Sequence, residues 1–318
     1  MARVDELRLM AKVARMYYAH GLRQQEITER LQIHQSTVSR LLKRAREANL
    51  VRISVNTPPG IFAEIEDRLA AQFQLKDAVV VDCPAEEAPL VRDLGAAAAY
   101  FLETTVKPGA TIGISSWSRS LFAMVDALHP GEICRGGKVV QIMGGVGQVG
   151  AEHHAIYLAQ RLAALIGANA VLMQAPGVVG SAEAQRVLLN DASVRVATEL
   201  FEHLDLALVG IGSMEPSRLL ASSGNVFSPE ERAQLSRQGA VGDICFRFFD
   251  AQGRQVKSPL MQRVIGIEAE ALHRVKRVVG VAGGRRKIPA ILGALRGRWI
   301  DILITDQRTA MSLLNDTE

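Results

Sequence analysis

The chain has 318 residues, 48% of them hydrophobic, with a net charge of +4; this length suggests about two domains, each able to bury a sizeable core. The charge is uneven: residues 1–56 hold 11 Lys+Arg against 5 Asp+Glu, a net of +6, and the remainder carries a net of −2, a distribution that fits a nucleic-acid reader joined to a second module. No signal-peptide pattern is present and no apolar run approaches the roughly 18 residues of a membrane span, so a cytoplasmic protein with no membrane contact is expected.

The chain opens with an expected helix over residues 6–19, its apolar stripe formed by Leu9, Val13, Met16 and Tyr17 and its end marked by Gly21. Residues 24–50 then split into two short helical patterns around a tight corner. Ile27 and Leu31 share a face in the first, and Val38, Leu41, Leu42 and Ala45 repeat at i, i+3, i+4, i+7 in the second. Only Gln32, Ile33 and His34 separate them, which makes a helix-turn-helix whose second helix can enter a DNA major groove. The polar face of that helix carries Gln35, Ser36, Thr37, Ser39 and Arg40, then Lys43, Arg44 and Arg46, with no acid between Gln35 and Arg46. Short polar side chains near the start suit base edges, and basic ones further along suit phosphates; Gln24, at the start of the first helix, joins them as a DNA-contacting candidate. Residues 51–55 alternate like a strand and are expected as a small wing. Thr57-Pro58-Pro59-Gly60 breaks the structure, placing a DNA-binding domain at 1–56 and an effector and oligomerisation domain at 57–318.

Beyond the break, strands alternate with helices. Helices are expected over 62–73, 90–104, about 119–128, 153–166, 183–189, 193–203 and 287–295, with one more starting at Ser228-Pro229-Glu230-Glu231. Strands are expected over 78–81, 111–114, 139–143, 170–173, 206–211, 277–281 and 301–304, and Phe246–Phe249 with Val256 are expected to flank a hairpin at 250–253. This alternation argues for a parallel α/β sheet covered on both faces.

Ligands of open α/β sheets bind beyond the carboxyl ends of the strands, so the loops there hold the candidate effector residues. The loop from Gly113 offers Ser115, Trp117, Ser118, Arg119 and Ser120. Gly144 and Gly145 follow the next strand, Gly212 and Ser213 another, and Gly283, Gly284, Arg285, Arg286 and Lys287 a fourth. Glycines permit close backbone approach and helix N-termini attract anions, and Arg119, Arg286 and Lys287 are fitting phosphate partners. Four such loops in one domain point to a phosphate-bearing ligand.

Other motifs fall away. Gly145, Gly147 and Gly150 match a dinucleotide fingerprint, but the acid due about 20 residues on is missing where the next strand ends at Leu172-Met173-Gln174-Ala175. His153-His154 lacks further ligands at metal spacing. Cys83, Cys134 and Cys245 are odd in number and far apart, with neither a disulfide framework nor zinc spacing. No nucleophile elbow or Walker loop appears, and no metal, cofactor or catalytic residue is expected.

Five segments resemble the SorC family of bacterial sugar-responsive transcriptional regulators, within the DeoR-like group, over nearly the whole chain. They are IxxRLxIHQSTVSRLLKRAREANLVRI at the front, GISSWSRSL, LVGIGS at 208–213, GDICFRFFDAQG at 242–253, and VVGVAGGRRKIPAILGALRGRWIDILITDQRTA at the end. The resemblance implies an effector domain similar to the glucosamine-6-phosphate deaminase and ribose-5-phosphate isomerase fold, a phosphorylated sugar as inducer, a homodimer or homotetramer, and a Lys at position 287. Operator DNA is then the macromolecular partner, with RNA polymerase a further candidate; Asp243, in the fourth segment, joins the effector-site candidates. The chain departs from the family at two points. The family's loop after Gly113 often reads Gly-Trp-Gly-x-Thr where this chain has Ser-Ser-Trp-Ser-Arg-Ser, and His34 stands where many members have Ser or Gly. The alternative is a sugar-phosphate isomerase or deaminase with an added DNA-binding head. That needs a general base, for which Asp243 and Asp306 are available, although Asp306 at a strand end also suits a helix cap.

Overall fold

The computed structural model describes residues 2–51, 58, 60–84, 86–146, 152–223 and 227–316. Contacts divide the chain into two units, Met1–Pro58 and Pro59–Glu318. In the first, α1 (Ala2–Ala14) runs into a π-helical turn (Arg15–Ala19), and α2 (Gln24–Leu31) and α3 (Gln35–Glu47) follow. The heptad-like spacing of α3 buries Val38, Leu41, Leu42 and Ala45 against Met10, Val13, Ala14, Met16 and Ile27. Each buried aliphatic side chain of this kind contributes about 1.5–3 kcal/mol. The wider π turn, closed by His20 N–H donating to the Arg15 carbonyl, shifts the helical phase. Met10, Val13 and Ala14 face the core from α1, and within the turn Met16 is buried whereas Tyr17 is exposed. The wing expected at 51–55 lies outside the described residues beyond Val51.

The second unit begins with α4 (Ala63–Phe73), β1 (Asp77–Val81), α5 (Glu87–Thr105), β2 (Thr111–Ile114), α6 (Arg119–Ala127), β3 (Lys138–Gln141), α7 (Glu152–Ile166) and β4 (Asn169–Val171). It continues through α8 (Ala182–Leu189), α9 (Ala192–Thr198), β5 (Leu206–Gly210), β6 (Gly212–Ser213), α10 (Arg218–Ser222), α11 (Pro229–Arg237), β7 (Ala240–Ile244) and β8 (Arg247–Asp250). Last come α12 (Ala269–Arg274), β9 (Val278–Val281), α13 (Ile288–Arg296), β10 (Ile302–Asp306) and α14 (Gln307–Asn315). Seven strands form one sheet in the order β1-β10-β9-β5-β2-β3-β4, and all six pairings are parallel. Successive residues of a strand face opposite ways. Accordingly, Leu206 and Leu208 join the core under α5, α6 and α7, while Ala207 and Val209 join the core on the other face with α13 and α14. Both faces are covered, as a parallel sheet requires. The strand order runs outward from β2 to β3 and β4 and then returns to β5 and β9. The topological switch point thus lies at the central strands β2, β5 and β9.

A second, antiparallel sheet has the order β6-β7-β8. The sequence pattern anticipates the hairpin around 250–253, where Val256 N–H donates to the Phe248 carbonyl, but not β7 or its own tight turn into β8. Cys245 and Phe246 form that turn with φ of 52° and 60°, a conformation ordinarily given to Gly, Asn or Asp. Asp243 Oδ2 accepts the Phe246 N–H at 2.9 Å and holds the turn.

Candidate functional site

The helix-turn-helix geometry follows from local chemistry. The Arg23 N–H donates to Glu26 Oε2 at 2.7 Å and opens α2, while Gln32 in the left-handed region (φ 53°) closes it. His34 is extended, and its carbonyl accepts from Thr37 N and Val38 N to start α3. Gln35, Ser36, Ser39, Arg40, Lys43 and Arg44 are exposed, and Thr37 and Gln24 are half-buried. The basic stripe is less free than the α3 sequence implies. Arg44 is ion-paired with Glu6 of α1, and Lys43 lies 3.8 Å from Glu47. Among the described residues Arg40 and Arg46 take part in no ion pair.

In the second unit, a cavity of about 350 Å³ opens at the switch point, at the carboxyl ends of β2, β5 and β9. Ser115, Trp117, Ser118, Arg119 and Ser120 line it, with Gly212, Ser213, Asp243, Gly283, Gly284 and Lys287. The loop after β2 is tied to its neighbours. Ser115 Oγ accepts the Gly210 N–H at 3.3 Å, and Ser116 Oγ donates to the Met143 carbonyl and accepts from Gln141 Nε2. Trp117, with φ 63°, donates its indole N–H to the Gly144 carbonyl. Ser118 caps α6, and a Cβ on Gly210 would lie 2.6 Å from its Oγ, so only glycine lets the loops after β2 and β5 meet.

The charges converge on one space. Arg119 is ion-paired with Glu87 at the start of α5, and Arg286 Nη2 lies 2.5 Å from Glu215 Oε2. Burial pushes the Lys287 ammonium below its ordinary range; Asp243 pulls it the other way, and Arg119, Glu87 and Arg286 follow in influence. Asp243 is held among protein atoms and burial pushes its carboxyl up to about 6, against the Phe246 N–H and Lys287, which favour the charged form. Cys245 also lines the cavity, but burial, with Asp243 adding, pushes its thiol up to about 12, leaving it neutral and unreactive.

Three expected effector residues do not reach the cavity. Gly113 packs within β2, where a Cβ would meet Ile142 Cγ2 at 2.7 Å. Gly144 and Gly145 admit the Pro176 carbonyl and Gln141 Nε2, at 2.2 and 2.0 Å from a Cβ at either position. These glycines serve packing. Nor is the Gly284 N–H free for a ligand: it donates to Asp306 Oδ2 at 2.8 Å. Asp306 also accepts from the Thr309 N–H and Oγ1–H, so it caps α14 and pins the glycine loop and is not poised as a base. Conversely, Glu87, Leu90, Leu94, Glu215, Leu220 and Phe246 line the cavity, and sequence reasoning gave them no role; the one available cue is the acid opening α5. Among the described residues no cluster of His, Cys, Asp or Glu could hold a metal, the three cysteines are free and buried, and no helix is long and apolar enough to cross a membrane.

Residues 59–315 match the family profile of a sugar-binding domain (Sugar-bind), and residues 14–57 match that of the MarR family (MarR_2). The chain is 34% identical over 313 residues to the deoxyribonucleoside regulator of Bacillus subtilis, covering 98% of this chain and 99% of that protein. It is 33% identical over 318 residues to the sorbitol operon regulator of Klebsiella pneumoniae, covering 99% and 100%. The crystal structure of the full-length sorbitol operon regulator SorC from Klebsiella pneumoniae superposes with a TM-score of 0.73 at 31% identity, over 98% of this chain and 99% of that one. These relatives are regulators, which sets aside the alternative of a sugar-phosphate enzyme with an added head. With a helix-turn-helix unit, a parallel-sheet sugar-binding unit and matches that run the length of the chain, this protein is a transcriptional regulator and belongs to the SorC family of the DeoR-like group.

Proposed function

We propose that the protein controls a carbohydrate-catabolism operon and that its operator affinity is set by a sugar or polyol, preferentially a phosphorylated one, bound in the switch-point cavity. The observation that carries this reading is the placement of cations. Arg119 opens α6, and Arg285, Arg286 and Lys287 precede α13. Helix N-termini favour anions and disfavour cations; Glu87 and Glu215 offset Arg119 and Arg286 only from exposed positions, and among the described residues Arg285 and Lys287 have no carboxylate paired with them, so an external anion is favoured there. Ser115, Ser118, Ser213 and Asp243 supply hydroxyl partners for a sugar, and Leu90, Leu220 and Phe246 an apolar wall, the usual mixture in a small-molecule site. The similarity to a deoxyribonucleoside regulator and a sorbitol operon regulator supports a carbohydrate-derived effector.

The test is thermal denaturation with matched pairs of sugars and polyols, each with and without phosphate. A ligand at about 100 times its Kd stabilises the folded state by about 2.7 kcal/mol. The phosphorylated member should raise Tm and its partner should not; a shift confined to unphosphorylated sugars would refute the phosphate reading. The same proposal makes the protein a homodimer or homotetramer held mainly by residues after Gly60, since paired reading heads double the contacts to DNA. Sedimentation of a chain starting near Gly60 tests this, and a clean monomer at micromolar concentration would contradict it.

A further inference from the structure

Two of the cations that line the cavity are already occupied. Arg119, at the start of α6, is paired with Glu87 at the start of α5, and Arg286, after β9, with Glu215, after β6. All four side chains line the cavity, and each pair joins two different elements across its rim. Both acids are well exposed, with 70% and 77% of their side-chain surface accessible, so neither is fixed by packing. Among the described residues neither glutamate has any other ion-pair partner. Lys287 lines the same cavity as both pairs.

A carboxylate and a phosphate present oxygens of similar geometry to a guanidinium fork. We propose, resting on the sugar-phosphate reading above, that Glu87 and Glu215 are built-in competitors for the effector's anionic group. They hold Arg119 and Arg286 in the effector-free protein and are displaced by an incoming phosphate. The consequence is selectivity. A dianion that recruits Lys287 together with both arginines outweighs two exposed carboxylates, whereas a monoanionic sugar acid exchanges one carboxylate for another and gains little. Exposed ion pairs of this kind are weak, at about 0.2–1 kcal/mol, so the competitors set a threshold without closing the site.

The test uses inorganic phosphate as probe, titrated calorimetrically into the full chain at fixed ionic strength. Glu87→Gln and Glu215→Gln should each tighten phosphate binding about two- to fivefold, the ratio that corresponds to an exposed pair, and the double variant further. Glu183→Gln, which breaks an exposed Glu183–Arg186 pair outside the cavity, should leave it unchanged. Binding by the glutamine variants alone, with none detectable in the wild type, would also support the proposal. If wild type binds phosphate, Lys287→Ala weakens it, and both glutamine variants bind equally or less well than wild type, the competition idea fails while the anion site stands. If no variant binds phosphate, both fall together.

Discussion

Replacing Lys287 with alanine removes a cleft cation that no carboxylate engages directly. Among the described residues its side chain makes no hydrogen bond or ion pair, and its backbone N–H donates to the Gly284 carbonyl irrespective of the side chain. Ile291, which fixes the buried face of α13, is untouched. The substitution should therefore cost little stability. The loss in binding is larger. A phosphate oxygen about 4 Å from the ammonium gains about 4 kcal/mol at an effective dielectric of ~20. Desolvation and the attraction already present between Lys287 and Asp243 offset part of that, leaving about 1.5–3 kcal/mol, the range of a charge-assisted hydrogen bond. Effector affinity should fall about 10- to 150-fold while operator binding is retained, giving a regulator deaf to its inducer. Calorimetry on both proteins decides; equal affinities would remove Lys287 from the site.

Other expectations concern the head, the acid in the cleft and the fold. Arg40→Ala should weaken DNA binding evenly across sequences and lower the salt slope by about 1, with Lys43→Ala doing less because Glu47 lies beside it; Ser36→Ala or Thr37→Ala should blur sequence preference, and wild-type binding by all four would exclude α3 as the reader. Asp243 has its carboxyl raised to about 6, so between the ordinary carboxylate value and that pH the native state holds a proton the unfolded chain has lost, and this contribution to stability fades as pH rises through about 6. Asp243→Asn should flatten the fall in urea-unfolding free energy between about pH 4 and 6, and a steeper fall would contradict the assignment. The same protonation removes a negative charge from the cleft, so sulfate, whose charge is fixed there, should bind more tightly at pH 5.5 than at 7.5 in wild type only. Arg247, fully buried, donates to the carbonyls of Ile267 and Gly266 and to the half-exposed Glu268; Arg247→Met strands the two carbonyls and should cost about 1–3 kcal/mol in urea unfolding, whereas a change below about 0.5 kcal/mol would mean that they find other partners.

The parts of the fold that were legible in sequence are those where periodicity has one cause. Val38, Leu41, Leu42 and Ala45 repeat because one face of α3 is buried, and the buried strands read as apolar runs because both faces of the parallel sheet are covered. β7 was not legible: Ala240–Ile244 contains Gly242 and Asp243, and its turn uses Cys245 and Phe246 in the left-handed region without a turn residue to announce it. The cavity was half legible. Loops after β2, β5 and β9 do meet there, because the strand order reverses at that point. Glycine itself is ambiguous, however. Gly210 admits Ser118, while Gly113, Gly144 and Gly145 admit core atoms, and sequence cannot tell a ligand's approach from a side chain's. Glu87 and Glu215 carry no pattern at all, since their pairing with Arg119 and Arg286 exists only once distant elements come together.

The central claim is that a ligand in the cavity changes the affinity of the head for DNA. Operator fragments selected from genomic DNA by the protein itself, labelled and titrated by fluorescence anisotropy, provide the direct measurement. With the sugar phosphate that most raises Tm at saturation, the wild-type Kd for operator should change by about tenfold or more, a coupling of about 1.4 kcal/mol, and the Lys287→Ala protein should show no change at the same concentration. An operator Kd that stays constant while calorimetry shows the cavity filled would contradict the account.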